Sequence, residues 1–442
     1  MSLISRFQSF VSKDLGIARE DTFLLAVSGG RDSMLMTHLF RHLGYKCVIA
    51  HCNFLLRGDE SDKDENLVCS YAKEHGMPYY VKRFETESYA LQEGISIQMA
   101  ARDLRYAWFR ELKEELGLSW ICIAQHLNDH VETFFVNLTR GTGLAGLRGI
   151  LPKRNDLLRP LLFLTAEEVL FHVKEFGVPF RDDQSNFSTK YARNKVRLDI
   201  VPKFKEIVND FEYVMESNIQ HLQESYELLQ SFVEPIRTSI FIKKTFGYEI
   251  NRNSIGHYKD NQALIYELFK PFGFSKEVLS DMWKNWEGEV GKIYHSTEYS
   301  LLMDRQSLFL QPRLIDEDER FLILSEIDAS WVFGGFLFSL SSSESLLIEH
   351  ASGIAQIDGE KLIFPLELRY WKEGDYFYPL GMEGRQKISD FFIHQKIDRF
   401  TKQRIPILVN SNGEIIWVVN YRLDNRYKIT ESTKKVVKLV CK

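Results

Sequence analysis

Short apolar runs alternate with stretches of helical periodicity through the N-terminal part of the chain. Residues 22–27 (TFLLAV) form an unbroken apolar run of strand length. Residues 34–43 place Leu35 and Leu39 on one stripe and Met36, Phe40 and Leu43 on another, the spacing of a helix. Residues 46–51 and 79–84 predict a second and a third strand, separated by a polar-faced helix at 60–75 that Gly76 closes. A long helix at 96–116 carries Leu104, Trp108, Leu112 and Leu116 at helical spacing and stops at Gly117. A fourth strand at 119–125 leads into a helix at about 128–138. Alternation of this kind predicts an α/β domain, a parallel sheet with helices on both faces.

The period then changes. Apolar residues recur at Phe211, Val214, Ile219, Leu222, Tyr226 and Leu229, which predicts one long amphipathic helix over 211–232. Shorter helices are expected at 261–269 and 275–286, and residues 292–310 read as strands around a turn. This middle stretch is expected to be mainly helical. Past Gln311 strand-like runs dominate, at 336–340, at 361–370 and in a hairpin over 405–420 that turns at Asn412-Gly413, with a short helix at 388–395. The expected organisation is an α/β domain at 1–208, a helical domain at 209–315 and an α+β domain at 316–442. No internal repeat is present, and 341–345 reads as a Ser-rich loop.

Composition narrows the function classes. The 442 residues are 44% hydrophobic and 26% charged, ample for two to four domains. A formal net charge of -5 argues against a protein held to nucleic acid by bulk charge and leaves room for a local basic face. Such strips occur at Lys190, Lys195, Lys203 and Lys205, and at Arg385, Lys387, Lys396, Arg399, Lys402 and Arg404, the second interleaved with Phe391, Phe392 and Phe400. A solvated helix face is the plain alternative for both. Five cysteines without CxxC spacing predict neither a disulfide framework nor a zinc site and fit a reducing, cytoplasmic setting. The first residues lack the charged and apolar regions of a signal peptide, and no apolar run reaches about 18 residues, so no membrane association is expected.

The chemistry concentrates where the first strand meets its helix, at Ser28-Gly29-Gly30-Arg31-Asp32-Ser33. Two glycines let the main chain bend and approach a ligand. A helix N-terminus offers free N–H groups and a positive dipole to an anion. Ser28 and Ser33 add hydroxyls, and Asp32 can hold Mg²⁺. There is no GxxxxGK[ST], so this is not a Walker A loop. A serine-glycine turn capping an ordinary helix is the structural alternative. Position favours the phosphate reading: Ser28–Ser33 follows strand one, His51 and Asn53 follow strand two, and His126 to Glu132 follow strand four, all at the carboxyl ends where open α/β sheets bind ligands.

The strand-SGGxDS-helix arrangement resembles the pyrophosphate loop of the N-type ATP pyrophosphatases, with their adenine nucleotide alpha hydrolase-like fold, which cleave ATP to AMP and pyrophosphate. Further motifs resemble one family within that superfamily, the tRNA(Ile)-lysidine synthetases: HCNFLLR at 51–57, GISIQMAARDLRY at 94–106, QHLNDHVET at 125–133, RGTGLAGL at 140–147, RPLL at 159–162, DDQSN at 182–186, RNKVR at 193–197, and GD, PLGM and KISDFF at 374–392. The middle of the chain carries almost no motif. Where many relatives have DDQ this chain has Asn128-Asp129-His130, which moves the acidic role to Asp129 and leaves His130 without a role. Phe54 stands where relatives often have a polar residue, a poor candidate for catalysis.

The resemblance implies that ATP and Mg²⁺ bind at Ser28, Gly29, Gly30, Arg31, Asp32 and Ser33 with His51 and Asn53. It implies that Asp32, Asp129, Arg102, Arg105 and His126 act in catalysis, and that Asp32 and Asp129 handle the metal. Arg57, Glu132, Arg140, Arg193, Asn194, Arg197 and Lys387 would bind tRNA or substrate. The implied reaction joins free L-lysine to carbon 2 of the wobble cytidine of a tRNA(Ile) with a CAU anticodon, through an adenylated cytidine, and Asp129 would also serve as base towards the lysine ammonium. A homodimer is compatible with the resemblance. Each side chain also has a bland reading: Arg102 and Arg105 as partners of Asp103 or Glu111, His126 as a core histidine, Glu132, Arg193 and Arg197 as surface charges. Two rival functions remain open at this point, another tRNA-modifying enzyme of the superfamily such as a thiolase, and a non-catalytic RNA-binding scaffold.

Overall fold

The computed structural model describes residues 2–182, 192–288, 290–313, 321–325, 327–343, 347–349 and 351–442. The chain divides into two compact units, Met1–Leu229 and Gln230–Lys442.

In the first unit α1 (Leu3–Ser9) precedes β1 (Thr22–Ala26), and the alternation runs on through α2 (Arg31–His42), β2 (Lys46–Asn53), α3 (Asp59–Glu74), β3 (Tyr79–Arg83), α4 (Thr86–Glu93), α5 (Ile97–Glu115) and β4 (Trp120–Ile123). Next come α6 (Leu127–Thr139), α7 (Leu144–Leu147), β5 (Lys153–Arg154), β6 (Leu157–Leu158) and α8 (Ala166–Glu175). The strands form one sheet in the order β3-β2-β1-β4-β6-β5, parallel throughout except for the β5–β6 pair. This is the parallel sheet with flanking helices that the alternation predicts. Chain order reverses between β1 and β4, and such a switch point leaves a crevice beyond the carboxyl ends of the strands.

Side-chain alternation explains the unbroken apolar run of β1. Phe23 and Leu25 enter a cluster with Phe7, Leu35, Leu39 and Phe40 on one face, and Leu24 enters a cluster with Trp108, Phe109, Leu112 and Ile121 on the other. Both stripes of α2 are buried, with Leu43 at its C-terminal cap only partly so, because α1 and α8 cover the side that the sheet does not. Phe40 is the hub, with its ring centroid 5.4 Å from Phe7, 5.0 Å from Phe23 and 5.5 Å from Tyr45.

After α8 the described chain resumes at α9 (Ala192–Lys195), a π-helical turn at Val196–Ile200, and α10 (Val201–Lys205). Val196 and Val201 pack with Val131 of α6 and with Phe211, Met215 and Ile219 of α11 (Phe211–Ile240). That helix is the long amphipathic one. It continues past the predicted end through Pro235, which it holds internally, and the boundary between the units falls within it.

The second unit opens with the hairpin β7 (Phe241–Lys244) and β8 (Gly247–Asn251), followed by α12 (Arg252–Gly256), α13 (Gln262–Phe269), α14 (Lys276–Lys284), β9 (Ile293–His295), β10 (Tyr299–Met303) and β11 (Ser307–Pro312). The stretch read as mainly helical keeps its helices but also holds an antiparallel sheet, ordered β7-β8-β11-β10-β9. The first hairpin escapes a pattern search because β7 and β8 bury only Phe241 and Ile250. Two further sheets follow. One takes Phe321–Leu324, Leu366–Tyr370, Pro406–Val409, Ile415–Val418 and Arg422–Leu423, and the other takes Ala329–Phe333, Phe336–Ser343, Val436–Cys441 and Ile354–Asp358. Their facing side chains make one core that includes Phe338, Leu340, Leu368, Leu408, Trp417 and Leu439. The hairpin turn at Asn412-Gly413 forms as expected, with Gly413 at φ +83°.

Phe40→Ala removes a ring that three others touch. It is expected to lower stability by about 3–5 kcal/mol, read as an earlier urea unfolding transition.

Candidate active site

The loop between β1 and α2 is folded on its own hydroxyls. Ser33 Oγ donates to the Gly30 carbonyl at 3.0 Å and accepts from the Ser28 N–H at 3.1 Å, and Ser28 Oγ lies 3.2 Å away. Gly29 sits at φ +91°, and a Cβ there would meet the Asp64 carbonyl oxygen at 3.4 Å. The Gly29 carbonyl accepts from the Arg181 N–H at 3.0 Å, while the Arg181 side chain pairs with Asp64 at 2.7 Å and with Glu60. The bend is therefore gripped from α3 and from the chain after α8. Gly30 caps α2 without a side-chain bond to the first-turn amides. Those N–H groups and the helix dipole face the crevice, which suits a phosphate.

Beside the loop lies a cavity of about 290 Å³, walled by Ser28, Asp32, Ser33, Cys52, Phe54 and Arg105. The Phe54 ring stacks on Phe84 at 5.6 Å and 20°, and the Arg105 guanidinium sits 5.2 Å from the Phe54 centroid. Phe54 is thus part of the site, as a flat wall. Sequence reasoning gives neither Cys52 nor Phe54 a site role, although both line the cavity. The available signal was period-two alternation, since Ala50, Cys52 and Phe54 share the face at the end of β2 that lines the cavity. Arg102 is not brought to this cavity. It is exposed, with its guanidinium 5.0 Å from the Tyr106 ring.

A charged cluster closes the crevice where β4 gives way to α6. His126 is buried between two carboxylates, with Nε2 at 3.9 Å from Asp32 Oδ1 and Nδ1 at 3.7 Å from Asp129 Oδ2. Asp32 Oδ1 and His126 Nδ1 are both buried and have no hydrogen-bond partner. Native proteins rarely tolerate such atoms unless a ligand or water meets them. Burial raises the Asp32 carboxyl above its ordinary range, and the negative charge of Asp129 adds to the rise, against His126, Arg31 and Arg197. Arg31 contributes only a distant contact of 3.9 Å to Asp32.

Asp129 behaves in the opposite way. Burial alone would raise it, but His126, Arg193, the His126 N–H and Arg197 together hold it below the ordinary range. Its Oδ2 accepts from the His126 N–H at 3.0 Å and its Oδ1 from Arg193 at 2.9 Å. With both oxygens engaged it is a weak base and a less accessible metal ligand than the sequence reading assumed. Glu132 is buried and receives Arg193 Nε at 2.7 Å and Arg197 Nε at 2.6 Å. These residues are a linked network rather than independent surface charges, and the network ties α6 to α9 and the π-helical turn.

His51 and Asn53 are buried braces. His51 Nδ1 bonds the Val27 carbonyl at 2.8 Å. The Asn53 amide donates to Asp62 at 3.2 Å and to Glu65 at 2.8 Å, and its oxygen accepts from the Leu55 N–H at 3.1 Å. Asn53 therefore has its donors committed to the protein, so the nucleotide contact assigned to it is replaced by a supporting role. Arg57 is exposed and pairs with Asp64 at 2.9 Å. Arg140 is exposed at the C-terminal cap of α6, Asn194 lies on α9, and Lys387 is the cap residue before the helix Ile388–His394 of the second unit. Of the DDQSN motif, residues 183–186 lie outside the described residues.

Both departures from the DDQ pattern have a physical account. The Asn128 oxygen accepts from the Ala166 N–H at 2.8 Å and its amide donates to Glu212 at 2.9 Å, a pairing that needs a donor and an acceptor on one side chain. His130 Nδ1 accepts from the Ile150 N–H at 2.9 Å, and its ring fills the space that a Cβ on Gly149 would enter, at 2.7 Å. Burial pushes His130 down from 6.5 to about 4. The neutral ring belongs to the folded state, so its stabilisation is complete above pH 6.5 and is lost as pH falls towards about 4. His130→Gln is expected to remove up to about 3 kcal/mol of that acid-side slope. The reading is the difference between the two proteins' urea stabilities across this window, because His38 and His51 are also held neutral by burial.

The comparisons with known proteins agree along the whole chain. A family model for a PP-loop domain matches residues 2–204, a model for a TilS substrate binding domain matches 243–313, and a model for a TilS substrate C-terminal domain matches 366–440. The tRNA(Ile)-lysidine synthase of Parabacteroides distasonis is 36% identical over 98% of this chain and 99% of its own length. That of Bacteroides thetaiotaomicron is 33% identical over 97% of each. That of Porphyromonas gingivalis W83 is 31% identical over 92% of this chain and 91% of its own. Full-length identity of this order, with the glycine bend and its crevice intact, means that the chain belongs to the tRNA(Ile)-lysidine synthase family.

Proposed function

We propose that this protein uses ATP to join the ε-amine of lysine to carbon 2 of the wobble cytidine of tRNA(Ile), forming a carbon–nitrogen bond and changing the codon read from Met to Ile. The observation that carries the reading is the pair of unpartnered buried atoms, Asp32 Oδ1 and His126 Nδ1, beside a helix N-terminus with uncapped amides. The cavity with Phe54 and Arg105 suits a purine ring.

In the first step the cytidine O2 attacks the α-phosphorus of ATP. The bond to the β-phosphate bridging oxygen breaks and pyrophosphate leaves with its electron pair. In the second step the lysine nitrogen attacks carbon 2, and AMP departs with the former O2. The proton lost by the lysine nitrogen needs an acceptor, since only the neutral amine attacks. The sequence motif points to Asp129, but its carboxyl, held below the ordinary range, suits it to hold the lysine ammonium rather than to deprotonate it. His126, within 4 Å of both carboxylates, is the group placed to relay the proton. The loop amides, Ser28 and Arg105 orient the triphosphate while Ser33 holds the loop in shape, so positioning and charge stabilisation dominate.

Among the described residues no group of three or more His, Cys, Asp or Glu is arranged to hold a metal. Mg²⁺ that arrives with a triphosphate needs only one or two carboxylates. Asp32 fits that need through its unpartnered oxygen, and the ion would neutralise charge on the leaving pyrophosphate. A thiolase is less well supported. Burial holds the Cys52 thiol up at about 12 and the Cys122 thiol well above its ordinary value, so neither offers a thiolate. All five cysteines are unpaired, which suits a reducing cytoplasm. Among the described residues no helix is long and apolar enough to cross a membrane.

The direct test is mass analysis of nucleosides after the protein, ATP and lysine meet a tRNA(Ile) with a CAU anticodon; lysidine is the expected product. Asp32→Ala should slow pyrophosphate release by about a hundredfold or more while tRNA binding holds. AMP formed by the variant at the parental rate would falsify the site assignment.

A further inference from the structure

The second unit contains a cavity of about 510 Å³, walled by Phe246, Phe309, Gln311, Phe336, Lys396 and Tyr421. Pockets of this size take small organic ligands. Its walls come from both sides of the unit's fold, the sheet that contains β8 and β11 and the loops around 396–398 and 420–421.

Alternation along β11 builds the first wall. Leu308 and Leu310 are fully buried on the core face, so Phe309 and Gln311 point the other way and line the cavity. Gln311 is only 6% exposed and lines the cavity. A carboxamide carries a donor and an acceptor on one flat group, which suits it to meet the edge of a base. Phe246 and Phe336 meet edge to face at 5.5 Å and 88°, and Arg404 lies 5.8 Å from the Phe246 ring.

The cavity wall carries two cations and two anions, Lys244 and Lys396 with Glu249 and Asp398, and both anions are engaged within the fold. Glu249 is held by Lys244 at 3.0 Å and accepts from Ser307 at 2.8 Å. Asp398 is engaged in capping a helix, accepting from the N–H groups of Phe400 at 2.9 Å and Thr401 at 3.0 Å. Lys396 is exposed and has no ion pair among the described residues. It belongs to the basic strip of residues 385–404 noted in the sequence.

We propose that this cavity receives one unpaired nucleotide of the RNA substrate, its base against the aromatic walls, its edge met by Gln311 and its phosphate by Lys396. The inference rests on the RNA-modifying role given above. Aromatic faces, a carboxamide and a cation are the elements by which proteins hold an unstacked nucleotide. An RNA duplex cannot enter a space of this volume.

The test uses full-length protein with a non-hydrolysable ATP analogue filling the cavity of the first unit. A short single-stranded RNA with one 2-aminopurine is the probe, and stacking quenches its fluorescence. Saturable quenching is expected. Tyr421→Ala and Gln311→Met should each weaken it about tenfold or more, with parental thermal unfolding, and Gln311→Met should also erase any preference among bases at the probed position. Lys396→Ala, at an exposed site, is the variant least able to disturb folding and should weaken binding while flattening its salt dependence. In turnover, the KM for tRNA should rise and kcat hold. Unchanged quenching in all three variants, or equal competition by a blunt RNA duplex, overturns the proposal. If the variants weaken RNA binding but no lysidine forms with any tRNA, the proposed function fails and the nucleotide pocket stands. If lysidine forms with a parental KM in all three, the pocket fails and the function stands.

Discussion

The first unit depends on one constraint, the pairing of β1 with β2 on one edge and with β4 on the other. Because the chain runs from β1 outward through β2 to β3 and then returns to β4 on the other side of β1, the connections part at the carboxyl end of this strand and leave a gap there. Whatever follows β1, β2 and β4 is delivered to the rim of that gap. The glycine bend, the pair His51 and Asn53, and the start of α6 are therefore neighbours by topology before any side chain is chosen. Burial of Leu24 on one face and of Phe23 and Leu25 on the other keeps β1 central.

Charge does the finer work within the gap. Asp32 and Asp129 lie on either side of His126, and their environments push them apart. Asp129 sits among arginines and remains an anion. Asp32 is desolvated and keeps one oxygen unclaimed. Two like groups thus acquire unlike tasks from their surroundings alone. Glu132 underlies this difference, because as a buried acceptor it fixes Arg193 and Arg197, and Arg193 in turn keeps Asp129 charged.

Much of this was legible in the sequence because the relevant patterns are local. Apolar runs and helical stripes located β1 to β4 and the helices α2, α3, α5 and α6 to within a few residues, and left α1, α4, α7, α8 and the short β5–β6 pair unmarked. The loop from Ser28 to Ser33 announced itself by composition, and the clusters after strands two and four by position. Contacts between distant segments were not legible. Nothing local marks His51 and Asn53 as braces, since their partners lie at Val27 and on α3. Arg102 and Arg105 share a motif and a helix, yet only Arg105 reaches the cavity, a matter of helical phase against β2. Phe54 was set aside for its chemistry, although flatness rather than polarity is what the cavity wall uses. The β7–β8 hairpin buries too few side chains to leave a periodic trace.

The histidine at position 130 has a consequence for how this chain can drift. Its ring occupies the volume over Gly149, whose backbone angle already favours glycine. Two separate demands, one of shape and one of conformation, therefore fall on a single position. A descendant that trades the imidazole for a longer, slimmer side chain relaxes only the first of them. Mutational tolerance at 149 should depend on which residue stands at 130, so the two sites are bound to change in a preferred order rather than independently.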